Sequence, residues 1–212
     1  MANLPRKSPR QSRSRATAEA VLDAAAHILD QPGRPDFTTN HVAEKAGISI
    51  GSLYQYFPNK ETILAELLRR DWQRLTARLA ETAHETSDPQ ARLQAWIDVA
   101  IDHQFARPRL SARLETLETT LDLDEEMENL AQTIVTQISA TVRRYAPSAS
   151  DRHVRDVLVI CRSLINDAAL DSTEPTDQKN LRERLGLAVF GYLDALNASA
   201  QKGLTFASRL PC

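Results

Sequence analysis

One stretch, residues 37–60, constrains the fold of this chain more than any other, and it reads FTTNHVAEKAGISIGSLYQYFPNK. Val42 and Ala43 follow the good N-cap residue Thr38 at helical spacing, which predicts a helix over residues 39–46. Gly47 ends that helix, because a helix that closes with a left-handed residue favours one without a Cβ.

A second short helix follows at once, over residues 50–57. Ser49 is its predicted N-cap. Leu53 and Phe57 are four residues apart and therefore face the same side, towards the core. Pro58 ends the helix, since the residue before a proline is pushed out of helical geometry. Two short helices joined by a tight turn form a helix-turn-helix.

The outward residues of the second helix suit a double-stranded DNA partner. A helix fits the major groove, where the amide of Gln55 can pair with adenine and Ile50 can contact a thymine methyl. Gly51 lets the backbone approach closely. The other predicted DNA-binding residues carry hydroxyl, amide or ammonium groups for base edges or phosphates: Thr38, Thr39, Asn40, Ser49, Ser52, Tyr54, Tyr56 and Lys60. The alternative is a plain corner between two helices with tyrosines on its surface.

The pattern FT-xxx-VA-xx-AGIS-xG-x-LYxYF-xxKE, over residues 37–61, resembles the signature of the TetR/AcrR family of transcriptional regulators. The resemblance implies an all-α homodimer. An N-terminal three-helix DNA-binding domain, residues 1–60, would precede a larger helical domain, residues 61–212, for dimerisation and effector binding. It also implies that the DNA-contacting positions fall on Thr39, Asn40, Ile50, Gly51, Ser52, Tyr54, Gln55, Tyr56 and Lys60.

Charge is distributed unevenly along the chain. Residues 1–60 carry eight Lys/Arg against five Asp/Glu, a net charge of +3, whereas the whole chain has a net charge of −2. A basic head on an acidic body favours a DNA-binding domain joined to a domain with another role. Residues 1–15 contain five basic and no acidic residues; they are interpreted as an arm for DNA phosphates, with a solvated tail as the alternative.

Apolar periodicity predicts helices through the rest of the chain. The first runs over residues 14–30, and a long one over residues 59–85 connects the head to the body. Others follow over residues 88–106, 108–119, 122–145, 150–171 and 177–198, and the last dozen residues are expected to fray. No apolar run reaches the ~20 residues of a membrane span and no signal peptide is recognisable, so a cytoplasmic location is expected.

The last two predicted helices have enough apolar surface to meet a copy of themselves. A two-fold four-helix bundle, which the resemblance also implies, would bury Val154, Leu158, Cys161, Ile165, Leu185, Val189, Tyr192 and Leu196. Alternatively, both helices close the core of their own subunit. The second cysteine is Cys212, the last residue, and neither is expected to form part of a disulfide framework.

The resemblance places an effector pocket within the body. Trp96, Phe105 and Leu117 are candidates to line it, with Arg113 or Asn166 as polar contacts, and an apolar or amphipathic molecule is favoured. No nucleophile with a base, phosphate loop or metal-ligand spacing is recognisable, so no catalytic residue, metal or cofactor is assigned. The expected function is a ligand-responsive repressor. The competing hypotheses are a helical protein that sequesters a small molecule and an enzyme on a helical scaffold.

Overall fold

The computed structural model describes residues 12–33, 37–83, 86–118, 120–121, 125–170 and 177–207. These ranges contain only helices and their connections: α1 Ser12–Leu29, α2 Thr39–Lys45, α3 Ile50–Tyr56, α4 Lys60–Ala83, α5 Pro89–Ala106, α6 Pro108–Glu118, α7 Glu125–Tyr145, α8 Asp151–Leu170 and α9 Gln178–Ala207. The all-α prediction is confirmed. None of the described helices is long and apolar enough to cross a membrane.

The chain divides into two compact units. The first comprises Met1–Arg74 and Arg107–Leu130, and the second comprises Leu75–Ala106 and Ala131–Cys212. The sequence predicts a boundary at residue 60, whereas the packing places the first part of α4 and all of α6 with the helix-turn-helix. The predicted division of function between a DNA-binding head and an effector-binding body is a separate matter and remains a prediction.

In the first unit, α1 packs against both α2 and α6, and α2 packs against α3. The inward stripe of α1 is fully buried at Val21, Ala25 and Ile28, as the helical periodicity predicts. Arg70 of α4 binds two carboxylates of α1, that of Glu19 at 3.2 Å and that of Asp23 at 2.8 Å. The helix-turn-helix therefore rests on a framework made from α1, α4 and α6.

In the second unit, α5 packs against α8 and α9, which also pack against each other. Buried residues occupy a wide face of α5: Leu93, Trp96, Ile97, Val99, Ile101 and Gln104. On the remaining side, Asp98 and Asp102 form ion pairs with Arg182 of α9. The wide face therefore packs into the core. Each unit holds one of the two tryptophans, Trp72 in the first and Trp96 in the second, and both are buried.

Helix boundaries follow the local signals closely except at the C-terminus. The predicted end of α9 near Ala198 is wrong, because the helix continues to Ala207. Gln201 and Lys202 are good helix formers, and the single Gly203 costs only about 1 kcal/mol relative to alanine, too little to stop a long helix. Most of the predicted basic arm, residues 1–11, and Cys212 lie outside the described residues.

Candidate nucleic-acid interface

Two side-chain caps and one glycine fix the path of the helix-turn-helix. The backbone N–H of His41 donates to Thr38 Oγ1 at 3.2 Å, and that of Ser52 donates to Ser49 Oγ at 3.1 Å. Between the helices Gly47 has φ +69°, a conformation that disfavours any Cβ. The predicted caps and the predicted turn are thus confirmed.

The inward side of the motif is closed by apolar packing. Leu53 of α3 is fully buried and Phe57 is only 3 % exposed, and Val42 and Ala43 of α2, the helix that packs against α3, are buried as well. Burying one such large side chain stabilises a fold by about 1.5–3 kcal/mol. This packing fixes the rotation of α3 about its own axis, and so determines which residues face outward.

The outward face of α3 presents polar and aromatic side chains. Gln55, Gly51 and Lys60 are exposed, and Tyr54 is 43 % exposed. Ile50, Ser52 and Tyr56 are half-buried at its edges, and Asn40 of α2 is exposed. The predicted DNA-binding residues are therefore exposed or half-buried, and none of them is buried in the core.

Two hydroxyl pairs orient part of this face. Thr39 Oγ1 and Tyr54 Oη hydrogen-bond at 3.0 Å, which joins α2 to α3 on the exposed side. Ser49 Oγ and Ser52 Oγ are 2.8 Å apart. Paired hydroxyls keep further lone pairs and can still contact a phosphate, but their rotation is restricted. Ser52 is thereby committed to the helix cap and is a weaker candidate for base reading than Gln55.

Gly51 has a conformation that any residue could adopt, since its φ is not positive. A Cβ built there would meet nothing closer than Ser49 Oγ at 4.0 Å. The fold of this subunit therefore does not require glycine at this position. Its missing side chain leaves the backbone of α3 exposed at the surface.

The start of α4 is fixed by a side-chain cap and carries one of the predicted DNA-binding residues, Lys60. Asn59 Oδ1 accepts from the backbone N–H of Thr62 at 2.8 Å and from the Thr62 hydroxyl at 2.9 Å. Thr62 is fully buried, and these two hydrogen bonds satisfy its hydroxyl and its backbone N–H. The apolar pattern of the sequence does not identify this buried polar side chain. Lys60 lies in the first turn of α4, exposed beside the end of α3.

The five predicted effector-contacting residues are divided between the units. Trp96, Phe105 and Asn166 belong to the second unit, where Trp96 is buried and Phe105 packs against the core. Arg113 and Leu117 belong to the first. The guanidinium of Arg113 donates to the carbonyl oxygens of Leu29, Gln31 and Gly33 at the end of α1.

The eight predicted interface residues fall into two groups. Val154, Ile165, Leu185 and Val189 are at most 4 % exposed within their own subunit, so for these four the burial favours the alternative of a closed subunit core. The other four are partly buried against that core: Leu158, Cys161, Tyr192 and Leu196. Burial raises the pKa of the Cys161 thiol to about 11. A hydrogen bond of 2.7 Å to Asp156 raises the pKa of Tyr192.

Comparison with known proteins adds an independent line of evidence. Residues 21–67 match the model of the bacterial regulatory proteins of the tetR family. The fatty acid metabolism regulator protein of Bacillus subtilis is 26 % identical over 52 % of this chain and 58 % of its own length. The transcriptional repressor KstR2 of Mycobacterium tuberculosis is 37 % identical over 41 % of this chain and 45 % of its own length. This chain thus spans about half the length of those two relatives.

Solved structures agree over a longer range. The fatty acid degradation regulator FadR of Bacillus halodurans superposes with a TM-score of 0.67 over 82 % of this chain and 97 % of its own, at 16 % identity. The ketosteroid transcriptional regulator KstR2 of Mycobacterium tuberculosis gives a TM-score of 0.63 over 87 % and 98 %, at 22 % identity. At these identities the likeness concerns the fold. The match to the tetR family itself covers residues 21–67, which contain the helix-turn-helix, and the rest of the chain shares the fold of these regulators.

Proposed function

We propose that this protein is a DNA-binding transcriptional repressor that a small molecule releases from a near-palindromic operator. The observation that carries the proposal is the outward face of α3. Packing of Leu53 and Phe57 fixes its orientation, and Gly51 exposes its backbone although the fold does not require a glycine there. A rigid helix with a bare backbone patch and exposed amide and hydroxyl groups suits the major groove.

On this proposal each side chain has a separable role. Gln55 contacts a base edge, because its amide can donate and accept at once. The Thr39–Tyr54 pair and Lys60 contact phosphates on either side of the groove. A dimer would place its two α3 helices about 34–36 Å apart, one turn of the duplex, and this spacing requires a near-palindromic operator.

Exposed apolar residues on α8 and α9 support a homodimer. Val159 is 60 % exposed and Leu187 is 77 % exposed, so both side chains are available to a partner subunit. Val159 follows Leu158, which is partly buried against the core, on α8. The proposed interface therefore includes these exposed side chains rather than the four predicted residues that the subunit core buries.

The second unit is the proposed effector site. Its core is apolar, yet Trp96 Nε1, Gln104 Nε2 and Gln137 Oε1 are buried without a hydrogen-bond partner among the described residues. Leaving such an atom unpaired costs about 1–3 kcal/mol, and a ligand with its own polar group could recover that cost. An amphipathic effector fits, and the fatty acid and ketosteroid regulators among the relatives suggest an acyl chain or a steroid.

Release requires that the effector bind two arrangements of the dimer with different affinity. A ligand with equal affinity for both arrangements shifts no equilibrium, however tightly it binds. We propose that the effector favours a separation of the two α3 helices that does not match successive major grooves. Action on operator DNA also makes the cytoplasm the proposed location.

The decisive experiment is selection of bound fragments from randomised duplex DNA, with Gly51→Trp as the matched control. Recovery of a palindromic motif by the wild type alone supports the proposal. The recovered duplex then serves to test release by decanoate and by cholestenone. If folded, dimeric wild-type protein enriches no sequence, the proposal fails and a protein that only sequesters a small molecule replaces it.

A further inference from the structure

The end of α1 and the start of α6 hold each other through reciprocal helix caps, which we call the α1–α6 clamp. It consists of Arg113 on α6, which donates to the carbonyl oxygens of Leu29, Gln31 and Gly33, and of Asp30, whose Oδ1 accepts from the backbone N–H of Leu110 at 3.2 Å. All of these residues belong to the first unit.

The clamp satisfies groups that helix ends leave unpaired. The last carbonyls of α1 lack intrahelical donors, and the first amides of α6 lack intrahelical acceptors. A guanidinium at the first end and a carboxylate at the second also suit the helix dipoles, which are negative at the C-terminus and positive at the N-terminus. Only arginine offers a planar fork with enough donors for three carbonyls in different directions.

The clamp lies shortly before the helix-turn-helix in the chain. Gly33 has φ +80°, and residues 34–36 separate it from Phe37, which immediately precedes the cap of α2. Arg113 therefore holds the turn that follows α1, and α1 itself packs against α2 of the helix-turn-helix. Arg113 lies on α6 and not on the outward face of α3, and its guanidinium donates to backbone carbonyls of the protein.

We propose that Arg113 is a positioning residue for operator binding. Through the clamp it holds α1, which packs against α2, in the arrangement that α3 needs to enter the groove. The inference rests on the proposed function. Without the clamp, the competent arrangement becomes a fraction of the free protein, and the apparent Kd rises by the inverse of that fraction. A lost helix cap costs about 0.5–2 kcal/mol, which corresponds to a two- to thirtyfold weaker affinity.

The test compares Arg113→Ala with Arg109→Ala, which removes the same charge from an exposed position on the same helix. Operator affinity is measured by fluorescence anisotropy at several salt concentrations, at a temperature where circular dichroism shows both variants folded. We expect weaker binding for Arg113→Ala alone, with an unchanged salt slope, and partial recovery in Arg113→Lys. Asp30→Ala should weaken binding too, and the double variant should lose less than the sum of both effects.

Amide hydrogen exchange of the DNA-free protein gives a readout that does not depend on an operator. The inference predicts faster exchange in α2 for Arg113→Ala and not for Arg109→Ala. Equal exchange and equal affinity in the two folded variants would overturn it and leave Arg113 a structural residue. A salt slope reduced by about one would also overturn it, because that is the mark of a direct phosphate contact. If the wild type binds no DNA, the proposed function is wrong. The exchange experiment would still show whether the clamp holds α2 in place.

Discussion

Replacing Gly51 by alanine should move stability and DNA affinity in opposite directions. The backbone at Gly51 is one that alanine adopts without strain, and the new Cβ would meet nothing closer than 4.0 Å. Under these conditions a glycine-to-alanine change stabilises a protein by about 0.4–1 kcal/mol, mainly by restricting the unfolded chain. The position lies in the first turn of α3, so the lower half of that range is expected.

The same methyl group projects from the face that enters the groove. If it holds the helix away enough to lose one good base contact, binding weakens by about 1–3 kcal/mol, or roughly five- to 150-fold. Urea denaturation measures the gain in stability, and fluorescence anisotropy with the selected operator measures the loss of affinity. Gly51→Trp should abolish specific binding while the protein remains folded.

A gain in stability with undiminished affinity in both variants would refute the reasoning. It would mean that the backbone of α3 does not approach the DNA closely at this position. A loss of stability in Gly51→Ala would instead contradict the packing argument, since the subunit would then require a glycine here for its own fold.

Four further perturbations test other parts of the structure. Lys60→Ala should weaken binding to all sequences and lower the salt slope by about one, and an unchanged slope would remove Lys60 from the phosphate contacts. Gln55→Ala should cost about 1–3 kcal/mol at one base position and relax the preference there, which a second round of selection would show. Because its pKa is about 11, the Cys161 thiol should react slowly with iodoacetamide at neutral pH. The labelling is measured in a Cys212→Ser variant, and rapid labelling would contradict the burial of Cys161. Burial and a hydrogen bond to Asp194 raise the pKa of Tyr145 from 10.0 to about 12. Tyr145→Phe should therefore lower the free energy of unfolding by about 1 kcal/mol below pH 10. In urea titrations, this difference between the variant and the wild type should vanish between about pH 10 and 12.

Local signals predicted the helix-turn-helix with its caps and its turn. Thr38 and Ser49 each bond an amide three residues away, and the left-handed turn at Gly47 depends on one residue type. Such interactions span few residues, so the sequence itself displays them. The burial of Thr62 is not predicted from the sequence. The signal for it is Asn59, three residues earlier, whose side chain accepts hydrogen bonds from Thr62.

Long-range partners could not be read in the same way. Arg113 is predicted as an effector contact, but its acceptors lie 80 to 84 residues earlier in the chain, and no periodicity indicates contacts at that separation. On α9, the predicted interface residues include both Leu185, which is fully buried in its own subunit, and Tyr192, which is only partly buried. Periodicity identifies a helix with apolar faces, but only the packing tells which face the subunit keeps for its own core.

The division of the two tryptophans between the compact units gives the protein a built-in pair of spectroscopic probes. Both indoles are largely shielded from solvent, at 9 % exposure for Trp72 and 6 % for Trp96, so each should emit at short wavelength when folded and shift to the red on unfolding. Trp72→Phe leaves an emission that follows only the second unit, and Trp96→Phe leaves one that follows only the first. Coincident denaturation midpoints in the two variants would show that the units melt as one cooperative body, whereas separate midpoints would rank their stabilities directly.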